Sequence, residues 1–122
     1  GHLLAEPRYL EAARGALGAG MTDIQRDPLA HATLVRVLGD QFDPPEHILL
    51  RGDPARLDAL AVHAAASFRP GRFVFALAPH AGAGLDTLPE FPAGGVVARR
   101  CRGTTCDAPV TDGDAIAAMI AG

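Results

Sequence analysis

Apolar positions at the start of the chain recur at helical spacing. Leu3, Leu10, Ala13 and Leu17 fall on or near one face, while Glu6, Arg8, Glu11 and Arg14 lie largely elsewhere, which predicts a first helix. Pro7 suits a first turn, where a missing N–H costs nothing, so the helix should begin near Glu6 and stop at Gly18 and Gly20. Asp27-Pro28 places an N-cap residue before a first-turn proline and predicts a second helix to about Leu38, with Leu34, Val35 and Leu38 inward and Gly39-Asp40 as its end. Together the two segments predict an antiparallel helical hairpin.

The pattern changes after Asp43-Pro44-Pro45, a stiff linker. His47 to Leu50 is a short apolar run, and Arg51-Gly52-Asp53-Pro54 then reads as strand exit, glycine turn, N-cap and first-turn proline. The helix that follows carries Leu57, Leu60, Ala61, Ala64 and Ala65 at helical spacing up to about Phe68, and Arg69-Pro70-Gly71 breaks it. Phe73 to Leu77 predicts a second strand. Pro79 to Pro92 reads as a Gly- and Pro-rich loop with at most one helical turn at Leu85 to Leu88. Val96 to Cys101 predicts a third strand and Asp112 to Ile120 a closing helix.

Strand, helix, strand implies a parallel pair. The first two strands are continuously apolar, as strands covered on both faces are. Arg99 and Arg100 make the third more exposed and point to an edge strand. The expected fold is α/β: a small, mainly parallel three-stranded sheet with packed helices, preceded by an N-terminal helical hairpin. The expected divisions are residues 1–2, a tag-cleavage scar; 3–42, the helical hairpin; and 43–122, a small α/β domain. On this reading the natural chain begins at or before Leu3, and the sequence is a piece of a longer protein.

Composition narrows the function classes. The net charge of -3 lacks the basic footprint of a nucleic-acid binder or a polybasic membrane patch. All 11 basic residues are arginine, which with the abundant Ala, Gly, Pro and Asp suggests coding bias rather than function. No apolar run approaches the roughly 18 to 20 residues that span a bilayer. With no signal-peptide pattern and only 2 cysteines, the expected compartment is the cytoplasm.

Cys101-Arg102-Gly103-Thr104-Thr105-Cys106 is the most distinctive motif. Its thiols could close a small loop, and Arg99, Arg100 and Arg102 would stabilise a thiolate. The loop model gives so short a closure on the order of 2 kcal/mol, a weak staple but an easily reduced one. In a reducing compartment both thiols are expected free, with Cys106 the more exposed. The bland alternative is a pair of small residues shaping a turn. Two cysteines fall short of a structural zinc site.

Arg51-Gly52-Asp53 matches an adhesion tripeptide, but strand exit, turn and cap account for all three residues. An anion at that helix start is the functional alternative. Pro79 to Gly84 follows a strand as phosphate loops do, without the Walker lysine. If the strands are parallel, Arg51, His80 and Cys101 gather at one sheet edge, where open α/β sheets bind ligands. Arg51, Gly52, His80 and Arg102 are therefore the anion or ligand candidates, and Cys101 and Cys106 the redox candidates. None of the five histidines, His2, His31, His47, His63 and His80, forms a close metal-ligand pair, and His31 and His63 read as surface or boundary residues. No catalytic residue, metal site or cofactor is assigned.

A strand, Cys101-x4-Cys106, Pro109, Asp112 and a short final helix resemble the C-terminus of the spermatogenesis-associated thioredoxin-domain family. Ile48-Leu49-Leu50-Arg51-Gly52-Asp53 looks like that family's hydrophobic strand with its Gly-Asp element, and Pro7 to Ala13 like a late helix of its α/α barrel. The resemblance runs from about Leu3 to Ile120. It implies a bacterial protein with an upstream thioredoxin-like domain and helical barrel, both partners of this piece within one chain. Only Cys101 and Cys106 match a family motif. Three roles follow as expectations: a structural or accessory C-terminal domain, a thiol–disulfide element, or a small-molecule or anion binding module. Leu3, Leu4, Leu10 and Leu17, cut from barrel neighbours, would favour a homo-oligomer or a rearranged N-terminal helix.

Overall fold

A computed structural model describes residues 1–4, 6–77 and 93–122. They form two compact units, Gly1–Pro44 and Pro45–Gly122. The loop expected over Pro79 to Pro92, including His80, lies outside the described residues.

The first unit contains helices α1 (Pro7–Arg26) and α2 (Ala32–Phe42). Gly18 and Gly20 do not end α1. The stripe of Leu10, Ala13 and Leu17 continues to Met21 and Ile24, and Leu17 and Ile24 are buried. Packing along that stripe outweighs the roughly 0.5–1 kcal/mol that an interior glycine costs. A Cβ on Gly20 would lie 3.0 Å from Leu34 Cδ1, so the glycine gives α2 room to approach. Asp27 does cap, its carboxylate accepting the Ala30 N–H at 3.1 Å, but it closes only a turn, and the regular helix starts at Ala32. Helix α2 also runs past Gly39-Asp40, where Asp40 pairs with Arg36 one turn back at 3.1 Å. Val35 is exposed rather than inward; Leu34, Val37 and Leu38 are half-buried.

The second unit runs β1 (Glu46–Gly52), α3 (Pro54–Ala66), β2 (Arg72–Leu77), β3 (Val96–Arg102), β4 (Thr105–Cys106) and α4 (Gly113–Ala121). Its helices start where acidic caps place them. Asp53 accepts from the Arg56 N–H at 3.2 Å, and Asp112 from the Ala115 N–H at 2.8 Å. The fold is α/β with a mixed four-stranded sheet in the order β2-β1-β3-β4.

Two expectations about the sheet are corrected. Among the described residues only β1 and β2 are parallel; β3 runs antiparallel to β1, from Glu46 opposite Arg102 to Gly52 opposite Val96. A parallel third strand needs a long crossover, usually helical, whereas an antiparallel one does not. Nor is β3 an edge. It lies between β1 and β4, and its Ala98 also pairs with Val110, so Val96, Val97 and Ala98 are buried despite the arginines that follow. The edge on the other side is β2. Among the described residues it has one strand neighbour; it is only partly covered, and Phe73 is exposed.

Strand alternation assigns the two sheet faces. Ile48, Leu50, Val96 and Ala98 join Leu57 of α3 and Ile116 and Ile120 of α4 in one apolar core. Leu49, Val97, His47 and Cys101 are buried on the opposite face. There His47 stacks with Phe73 and Phe75 at centroid distances of 5.7 and 6.0 Å.

Candidate functional site

The Cys101-x4-Cys106 segment folds as a tight hairpin. Arg102 faces Thr105 across a two-residue turn of Gly103 and Thr104. Such turns need positive φ at their first position, and Gly103 supplies it at 59°. The next residues out, Cys101 and Cys106, stand directly opposite with Cα atoms 3.9 Å apart and are joined as a disulfide. This differs from the expected free thiols. A hairpin puts its second pair of residues at the close, non-hydrogen-bonded spacing, so the pair meets as a consequence of register. Cys101 is buried and Cys106 exposed.

The hairpin has ties besides the disulfide. The Asp107 N–H donates to the Arg100 carbonyl at 2.8 Å, and the Arg100 guanidinium pairs with the Asp107 carboxylate at 2.7 Å. The hydrogen bond to that carboxylate, and then its charge, hold Arg100 above its ordinary range. Arg99 Nε donates to the Asp107 carbonyl at 3.0 Å. One step further, Val110 and Ala98 exchange two backbone hydrogen bonds of 2.8 Å, which leads the chain into α4.

Arg102 belongs to a charged cluster. Arg72 Nε donates to Glu46 Oε1 at 2.6 Å, with both side chains about nine-tenths buried, and Arg102 approaches Glu46 Oε2 at 3.5 Å. Arg72 also donates to the Ile120 carbonyl at 2.7 Å, placing a cation at the C-terminal end of α4. Glu46, Arg100, Arg102, Thr105 and Asp107 line an open cleft of about 520 Å³.

The other candidates do not gather there. Because β3 is antiparallel, Cys101 faces His47 at one end of β1 while Arg51, opposite Val97, lies at the other. The edge that was expected to collect Arg51 and Cys101 does not exist, and His80 is outside the described residues. Arg102 sits opposite Glu46, at the end remote from Gly52. Gly52 has a packing reason to be glycine. A Cβ there would land on the Gly95 carbonyl oxygen and 2.7 Å from Val96 Cα. The neighbouring Asp53 N–H is taken by that same carbonyl at 2.9 Å.

Glu46, Arg72 and Asp107 were missed by motif reading. Period-two alternation could have flagged the first two. Glu46 shares a face with Ile48 and Leu50, and Arg72 one with Val74, so each charge continues an inward row. Among the described residues no group of three or more His, Cys, Asp or Glu side chains could hold a metal ion, and no helix is long and apolar enough to cross a membrane. Comparisons of the chain with family models, with curated proteins and with solved structures gave no match.

Proposed function

We propose that this chain is a structural or accessory C-terminal domain of a cytoplasmic thioredoxin-domain-containing protein, not catalytic alone, that serves an upstream helical barrel and thioredoxin-like domain. One observation carries the reading. The segment resembling that family's C-terminus is a single continuous structural unit: bridged hairpin, the Ala98–Val110 pairing, the Asp112 cap, and a helix that inserts Ile116 and Ile120 into the core. A segment built this way works as a closing element of a domain. Its side chains are spent on core, cap and ion pairs.

The test is the reading frame that encodes the chain. An upstream thioredoxin-like segment followed by a helical barrel is the expected result; a frame that opens close to Leu3 overturns the reading. In the full-length product, deletion of residues 45–122 should lower the thermal midpoint of the remaining domains. A remainder of unchanged stability would remove the accessory role.

A further inference from the structure

We infer that the Cys101–Cys106 bridge is a reversible two-electron thiol–disulfide site, entered through Cys106, with a protein dithiol of the thioredoxin type as co-reactant. The identity of that co-reactant rests on the accessory-domain reading; the exchange chemistry does not.

The first support is the asymmetry of the pair. Exchange requires a thiolate to approach one sulfur in line with the bond that breaks, so access decides which sulfur is attacked. Cys106 is exposed on the short outer strand β4, and Cys101 is buried in β3, between β4 and β1. The incoming thiolate therefore bonds to Cys106 Sγ, and the Cys106–Cys101 bond breaks with its electron pair leaving on Cys101. Arg99, two residues back in the same strand, lies on the same sheet face as Cys101 and carries a permanent positive charge. The second thiol of the attacking dithiol then displaces Cys106 from the mixed disulfide. Two electrons pass to the Cys101–Cys106 pair, the co-reactant becomes a disulfide, and its two thiol protons end on Cys101 and Cys106.

The second support is what remains when the bridge opens. The Asp107-to-Arg100 backbone bond, the Arg100–Asp107 ion pair, the Arg99 contact and the Ala98–Val110 pairing span the same strands without the sulfurs. The hairpin stays closed and holds the two thiols opposite one another, so reoxidation is an intramolecular step between positioned groups. A bridge that merely duplicates other ties is a poor clamp and can open without unfolding its domain.

The oxidised chain is treated with excess dithiothreitol without denaturant, quenched with an alkylating reagent and weighed, with circular dichroism recorded before and after. Two alkyl groups, an unchanged spectrum and return of the bridge on mild oxidation are expected. A bridge that opens only in denaturant overturns the inference. Entry through Cys106 is read from Cys101→Ala and Cys106→Ala with glutathione disulfide: the thiol left at Cys106 should react on the order of ten-fold faster than the one left at Cys101. Equal or inverted rates overturn it. If either variant fails to fold, peptide mapping of the mixed disulfide that the wild-type chain forms with glutathione gives the same answer, with Cys106 expected as the modified residue and Cys101 as the contrary result. Exchange in a chain whose gene encodes no thioredoxin-like segment would leave the site standing and remove the accessory-domain reading. The converse pairing of results would do the opposite.

Discussion

Along the helix-covered face of the sheet, Leu50 and Ala98 belong to an apolar cluster with Leu57 and Ile116. Four residues before Leu50 on the same strand and face, Glu46 is also buried, yet it is held by Arg72 and approached by Arg102. The two ends are buried to similar depth by different physics, and they fail differently. An apolar end loses stability in proportion to the volume removed and can be refilled by another side chain of similar size. A buried ion pair falls sharply when one partner goes, because the other charge is left without compensation, and recovers when both become apolar. Burial alone therefore does not rank the sensitivity of positions in this sheet.

The largest effect is expected from Glu46→Ala, which strands the buried Arg72 guanidinium and should cost about 3–5 kcal/mol. Urea unfolding should show a large drop in midpoint, and the double replacement of Glu46 and Arg72 by methionine should restore most of it. If the double variant is as unstable as the single one, the two ends do not differ in the way described. Ile116→Ala, at the apolar end, should cost about 3 kcal/mol, and Ile116→Val only about 1 kcal/mol, so that the loss tracks deleted volume. Similar losses for both variants would point to a rearrangement of α4 instead.

Helix α4 touches both regimes, with Asp112 capping its start and Arg72 bonded to the Ile120 carbonyl near its end. Asp112→Ala should cost about 1 kcal/mol, visible as a shift in thermal midpoint with the core otherwise intact. The smallest effect belongs to Arg100→Ala. Its pair with Asp107 is of the same type as Glu46–Arg72 but half-exposed, and surface pairs contribute about 0–1 kcal/mol. A loss as large as that of Glu46→Ala would mean that exposure does not separate the two pairs.

Local signals in the sequence were good guides to elements. Asp53-Pro54 and Asp112 mark the two helix starts of the second unit, and the runs at His47, Phe73 and Val96 lie within its three longer strands. Strand direction was not legible, because it depends on how the chain returns to β1 rather than on any local pattern. For the same reason the edge position fell on the wrong strand: Arg99 and Arg100 of β3 are held by Asp107 and do not mark a missing neighbour. In the first unit the glycine stop signals lost to a longer apolar stripe, a contest that only the packed helix pair decides. The cysteine spacing marked a turn whose thiols could close a small loop. What it left open was the pairing across that turn and the buried Glu46–Arg72 partnership, which joins residues 26 positions apart.

The strand order also bears on synthesis. The most buried strand, β1, takes β2 on one side soon after α3 is made, but its other neighbour, β3, is complete only at Arg102, 50 residues after Gly52. At bacterial or eukaryotic elongation speeds of about 5–20 residues per second, that interval lasts on the order of 3 to 10 seconds. Through it, a nascent chain carries an unpaired backbone edge beside Ile48, Leu49 and Leu50, the kind of edge that templates pairing with other chains. A polypeptide released early, before Val96 has been added, keeps that edge for good, so ribosome stalling in this stretch would yield aggregation-prone fragments, while stalling after Arg102 would not.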